Sequence, residues 1–200
     1  MLADQLYVNH TGLPPILRNR ILRLASFANP EFYKAQKMRL PTWDKPHILY
    51  CYEFFPEYIG LPVGCLDGLL DILKHYKIKP ELQNKQNHGQ SINVRFTGEL
   101  RDDQKEAFQK LIANQMGIFS ASTAFGKTIV ALRIIAEREV NTLILVHRKL
   151  LADQWIERIN QFLGIPKKDI GYYSGIKKVR TGIINIAVMQ SIVKAVNVLF

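Results

Sequence analysis

The sequence predicts an α/β protein in two parts: a mixed α+β accessory domain over residues 1–97 and a domain built on a parallel sheet over residues 98–200. Three observations predict it. Beyond residue 98, short apolar runs alternate with helical periodicity at the lengths of βαβ units. Those runs are near-continuously apolar, as strands covered on both faces are. Between the first run and the helix after it lies a glycine-lysine-threonine turn, Gly126-Lys127-Thr128. With 200 residues and 48% hydrophobic content, the chain can bury a core, and its size fits one or two domains.

In the first part, Ile16, Leu17, Ile21, Leu24 and Phe27 recur at helical spacing behind Pro14 and Pro15, which predicts a helix over 13–28. Asn29-Pro30 ends it and starts a second, basic helix over 30–39, which Pro41 stops. The aromatic and β-branched run over 47–55 predicts a strand, and 66–76 returns to helical spacing. Residues 83–91 are polar turn material, and Ile92-Asn93-Val94-Arg95-Phe96 alternates like a half-buried strand. Arg18, Arg20, Arg23, Lys34, Lys37 and Arg39 either track a phosphate backbone or form the solvent side of amphipathic helices, and the pattern leaves both open.

The second part is expected to run as helix 101–115, strand 116–121, helix 127–138, strand 142–147, helix 149–163, strand 169–173 and strand 183–189. The chain carries 27 Lys and Arg against 17 Asp and Glu, a formal +10 that attracts polyanions and puts nucleic acid first among partners. Cys51 and Cys65 lack the second pair of a zinc site, and two thiols at this length suit a reducing compartment. No secretory pattern opens the sequence and no apolar stretch nears the about 20 residues of a bilayer span, so a cytoplasmic protein with no membrane partner is expected. Oligomeric state is not legible.

The chemistry concentrates in Ala121-Ser122-Thr123-Ala124-Phe125-Gly126-Lys127-Thr128, which fits the phosphate-loop pattern. In such a loop, backbone N–H groups from Ser122 to Thr128 converge on phosphate, the next helix offers its positive end, Lys127 reaches the β- and γ-phosphates, and the Thr128 hydroxyl holds Mg²⁺. Lys127 and Thr128 are the catalytic candidates, with ATP and Mg²⁺ as cofactors. The context test asks for a strand before the loop and a helix after it; Gly117-Ile118-Phe119-Ser120 and Ile129 to Ile135 read as both.

Upstream, Leu100-Arg101-Asp102-Asp103-Gln104-Lys105-Glu106-Ala107 resembles the adenine-reading segment of motor ATPases, which assigns Gln104 to the adenine edge and Arg101 to its support. Read by itself, the run is an ordinary helix start with Asp102 and Asp103 near the positive pole. Downstream, Leu145-Val146-His147-Arg148 followed by Leu150-Leu151-Ala152-Asp153-Gln154-Trp155 is similar to the helicase segment where a strand end meets nucleic acid. Gly171-Tyr172-Tyr173-Ser174-Gly175, with Lys177 and Lys178, and then Ile184 to Ser191 are similar to the next strands and a second DNA-contacting segment. These segments, in this order over about half the chain, resemble superfamily-two helicases and translocases. The branch is that of the xeroderma pigmentosum group B repair helicase, phage recombination helicases and restriction-enzyme motor subunits.

The resemblance implies a RecA-like fold for 98–200, ATP hydrolysis by the whole motor, and DNA, double-stranded or branched, as partner, with RNA second. It assigns His147, Arg148, Lys177, Lys178, Gln190 and Ser191 to nucleic acid, while Leu150, Leu151 and Trp155 are expected to pack as core. The family's acidic box and second motor domain would lie beyond Phe200, so the segment given is expected to bind ATP better than it hydrolyses it. Ala121 stands where many phosphate loops have Gly, and Phe125 fills a usually small position. Two other classes compete: another phosphate-loop enzyme such as a small-molecule kinase, and a nucleic-acid-binding module with a vestigial nucleotide site.

Overall fold

A computed structural model describes residues 1–174, 177–179, 181 and 183–192, in two compact units, Met1–Asn87 and His88–Phe200. The unit boundary lies ahead of residue 97 because Ile92 and Val94 are buried in the second unit's core.

The first unit contains β1 (Leu6–Asn9), α1 (Pro15–Leu24), β2 (Ser26–Ala28), α2 (Pro30–Lys37), β3 (Ile48–Tyr50), β4 (Glu53–Phe54), β5 (Tyr58–Leu61) and α3 (Leu66–His75). An antiparallel sheet runs β1-β5-β4, with Leu6 opposite Leu61 and Val8 opposite Ile59. Leu6, Ile59 and Leu61 pack with Leu17 and Ile21 of α1 and Leu69 and Leu73 of α3 into one core. Both prolines open their helices, where a missing N–H costs nothing. Asn29 is the N-cap of α2: its side chain accepts from Glu31 N at 3.0 Å and donates to Pro46 O at 2.9 Å.

Two expectations change here. The first helix ends at Leu24, because Ser26–Ala28 pairs antiparallel with Ile48–Tyr50, and Phe27, expected on its buried stripe, is exposed. The strand expected over 47–55 is two strands in different sheets, β3 on β2 and β4 on β5.

The second unit contains α4 (Asp102–Ile112), α5 (Lys127–Arg138), β6 (Thr142–Val146), α6 (Lys149–Leu163), β7 (Gly171–Ser174), β8 (Lys177–Val179) and β9 (Ile184–Val188). Its sheet has the order β6-β9-β7-β8; the first three strands are parallel and β8 is antiparallel to β7. Ile144, Val146, Ile184 and Ile186 of the sheet are buried with Leu132 and Ile135 of α5 and Ala152 and Ile159 of α6. The basic stretch at Lys177 and Lys178 thus lies in a strand, β8.

Three further expectations are corrected. Residues 116–121 form no strand: nothing described pairs with them, and Ile118 is 97% exposed. The alternation of 92–96 is real, with Ile92 and Val94 buried, but this segment joins no ladder beyond an isolated bridge from Ser91 to Val140. Along β6, Ile144 and Val146 are buried while Leu143 and Leu145 are exposed, so this strand is covered on one face rather than two.

Candidate nucleotide and nucleic-acid site

Gly126 is the N-cap of α5 at φ +92°, and no side chain caps the helix, whose first turn holds no acidic residue. An uncapped N-terminus behind a glycine suits an anion. Ala124 also has positive φ, +66°, so the loop carries two left-handed residues within three positions. A Cβ at Gly126 would lie 2.5 Å from Gln104 Nε2 and would displace that amide, while the positive φ itself favours glycine.

Gln104 is buried, a polar side chain held inside by hydrogen bonds at both ends of its amide. Its Oε1 accepts from Arg101 N at 3.1 Å, and its Nε2 donates to Phe125 O at 2.8 Å. Arg101 donates to the same carbonyl at 2.9 Å, and its guanidinium lies 5.8 Å from the Phe125 ring centroid. Arg101 is in turn held by both carboxylate oxygens of Asp103 at 3.2 Å. That hydrogen bond to Arg101, foremost, holds the Asp103 carboxyl below the ordinary carboxylate range. The start of α4 therefore grips the phosphate loop at one carbonyl.

Phe125 is no misfit: its ring sits edge-on to Phe119 at 5.5 Å and beneath Arg101. Lys127 Nζ donates to Ala121 O at 2.6 Å and Ser122 O at 2.9 Å, within its own loop. Ser122, Thr123 and Ala124 are exposed and Thr128 is half-buried, lining a cleft of about 460 Å³ with Leu151, Gln154 and Trp155. Among the described residues no group of three or more His, Cys, Asp or Glu side chains forms a metal site.

The remaining candidates gather at the carboxyl ends of the parallel strands, where open α/β sheets take their ligands. His147 follows β6 and Arg148 caps α6 with extended dihedrals; both are exposed. Because Val146 pairs with Val188, exposed Gln190 and half-buried Ser191 leave the sheet beside them. Lys177 and Lys178 lie in β8, opposite Ser174 and Tyr173; their side chains are outside the described residues. Leu151 and Trp155 pack against the core as expected, whereas Leu150 is 68% exposed. Sequence reasoning missed the part Asp103 plays through Arg101, although its spacing at the helix start was visible.

A parallel sheet with a Gly-Lys-Thr loop opening a helix, gripped by a buried glutamine, defines a RecA-like phosphate-loop domain. The comparisons agree. Residues 97–198 match the family described as type III restriction enzyme, res subunit, and the chain belongs to that family, within superfamily two of the helicases. It is 38% identical over 101 residues to a putative helicase 161L of Invertebrate iridescent virus 6, covering 48% of this chain and 22% of that protein. It is 35% identical over 102 residues to the DNA 3'-5' translocase XPB2 of Sulfurisphaera tokodaii, covering 50% and 23%. A putative DNA 3'-5' helicase Rad25 of Haloarcula marismortui is 31% identical over 192 residues, covering 85% of this chain and 31% of that one. The chain thus spans between a fifth and a third of these relatives' lengths. The UvsW helicase of Bacteriophage T4 shares the fold at TM-score 0.60 and 12% identity, over 90% of this chain and 71% of that structure. No helix among the described residues is long and apolar enough to cross a membrane.

Proposed function

We propose that this chain is the ATP-gripping and DNA-contacting part of a DNA helicase or translocase. The observation that carries the reading is the single carbonyl of Phe125, on which Gln104 and Arg101 converge while Gly126 and Lys127 open α5 just beyond it. The residues suit a nucleoside triphosphate: a glycine hinge, an uncapped helix start, a lysine ammonium and a threonine hydroxyl stand within three consecutive positions. Bound ATP with Mg²⁺ supplies the phosphoanhydride whose cleavage powers movement.

In this reading Lys127, which here bonds the carbonyls of Ala121 and Ser122, would hold the β- and γ-phosphates, and the Thr128 hydroxyl would hold the metal. Gln104 keeps one amide hydrogen and one lone pair beyond its two protein bonds, enough to read an adenine edge. The loop that ATP orders is thereby tied to the residue that recognises the base. His147, Arg148, Gln190 and Ser191 meet the nucleic-acid backbone at the carboxyl edge of the sheet. DNA is favoured over RNA because two of the relatives above are named as DNA translocase or helicase, although another relative is named an RNA helicase of Acanthamoeba polyphaga mimivirus.

Calorimetric titration of ATP and ADP with Mg²⁺ tests the site. Wild-type binding that Lys127→Ala abolishes is the expected result. DNA binding that persists with no nucleotide affinity in the wild type would replace this reading by a module with a vestigial site.

A further inference from the structure

We propose that the first unit carries a stacking platform for unpaired nucleic-acid bases, formed by the ring ladder of Tyr50, Tyr52 and Phe54 with His10 at its end. It is distinct from the nucleotide site and rests on the reading of the chain as a nucleic-acid-binding protein.

Residues 50, 52 and 54 run from the end of β3 to the end of β4, and their rings follow one another in a row although the two strands belong to different sheets. Their ring centroids stand 5.4 Å apart from Tyr50 to Tyr52 and again from Tyr52 to Phe54, and His10 follows at 6.4 Å from Phe54. Neighbouring planes are inclined by 55°, 73° and 89°, so no ring stacks flat on the next. Tyr50 is 61% and Phe54 59% exposed, while Tyr52 packs in part against the core and anchors the row. Such a row of exposed large rings costs solvation unless something covers it.

The surrounding charge chooses the partner. Residues 15–39 hold Arg18, Arg20, Arg23, Lys34, Lys37 and Arg39 against one carboxylate, Glu31, while the ladder segment itself carries Glu53. None of these cations has an ion-pair partner among the described residues; Arg20 instead lies over the Tyr76 ring. The topology brings the end of α1, whose last turn carries Arg23, to the start of the ladder. β2 joins α1 to α2 and pairs with β3, so Ser26 faces Tyr50 and Cys51 N donates to Ala25 O at the end of α1. An apolar protein helix would gain nothing from unpaired cations in the same unit, whereas a single strand uses both, phosphates on the cations and bases on the rings. Stacking of this kind tolerates any sequence, because every base offers a π-face.

The test uses the full chain and fluorescence anisotropy with two probes of equal length and charge: labelled oligothymidylate and a strand of abasic sites. The wild type is expected to prefer the thymidylate strand by about tenfold or more. Tyr50→Leu and Phe54→Leu should each lose about tenfold on that strand and nothing on the abasic one, while Tyr50→Phe keeps wild-type affinity. Both rings are exposed, so the leucine variants should fold, which an unchanged thermal melt checks. Equal affinity of the wild type for both probes, or leucine variants that bind thymidylate normally, overturns the proposal. So does a concentration-dependent self-association that the leucine variants abolish, since the rings would then serve a second copy. Loss of ATP binding with the base preference intact would sink the motor reading alone, and the reverse pattern this inference alone.

Discussion

At Gly126 two demands meet: a φ of +92°, and a neighbour, Gln104 Nε2, 2.5 Å from where a Cβ would stand. Gly126→Ala therefore displaces either the loop or the Gln104 amide, which would give up its bond to Phe125 O. Calorimetry should show ATP affinity falling at least about tenfold, with left-handed strain of about 1–2 kcal/mol as the smaller part of the effect. Wild-type affinity in this variant would mean that the loop is not held by Gln104. Gln104→Ala removes two hydrogen bonds worth about 0.5–1.5 kcal/mol each and should weaken ATP by roughly tenfold, with GTP affected less on the proposal that Gln104 reads the adenine edge. Equal losses for both nucleotides would confine Gln104 to positioning the loop. Asp103 adds a pH dependence of known sign. Its carboxyl is depressed by Arg101, so the Arg101 clamp is at full strength above the ordinary carboxylate range and is lost as pH falls through the lower folded value.

Among the elements, those whose stability comes from their own periodicity were legible in the sequence. Helices 127–138 and 149–163 fall where apolar spacing put them, and the glycines at their ends explain the sharp limits: Gly126 opens one and Gly164, at φ +66°, closes the other. Strand β6 was legible for the same reason. What failed was pairing, which periodicity does not encode. The run 116–121, apolar at Met116, Ile118, Phe119 and Ala121, pairs with no described strand, whereas Ser26–Ala28 leaves a helical pattern because Ile48–Tyr50 offers it a ladder. The phosphate loop was legible as a string; the grip on Phe125 O was not, since a carbonyl has no signature in sequence. Strand β6 also gives a stability test. Ile144→Ala removes a side chain 9% exposed and should cost about 2–5 kcal/mol in denaturant unfolding, while Leu143→Ala, 58% exposed on the other face, should stay within about 0.5 kcal/mol. Comparable losses at both positions would show that the outer face of β6 is covered in solution.

For the molecule as a whole, the +10 charge is not confined to the motor-like half: residues 1–97 contribute +4 and residues 98–200 contribute +6. A protein that touched nucleic acid only at the sheet edge would need no excess in its first unit. The salt dependence of binding separates these cases, because each phosphate neutralised on a single strand adds about −0.7 to the slope of log affinity against log salt. If the cations of α1 and α2 track the backbone, Lys34→Ala with Lys37→Ala should flatten the slope by about 1.4 and weaken the thymidylate and abasic strands alike. Tyr50→Leu should instead lower affinity for thymidylate at every salt concentration and leave the slope unchanged, because a stacking contact releases no counterion. A slope unaltered by the double lysine variant would take α2 off the phosphate path and leave its basic face to solvent.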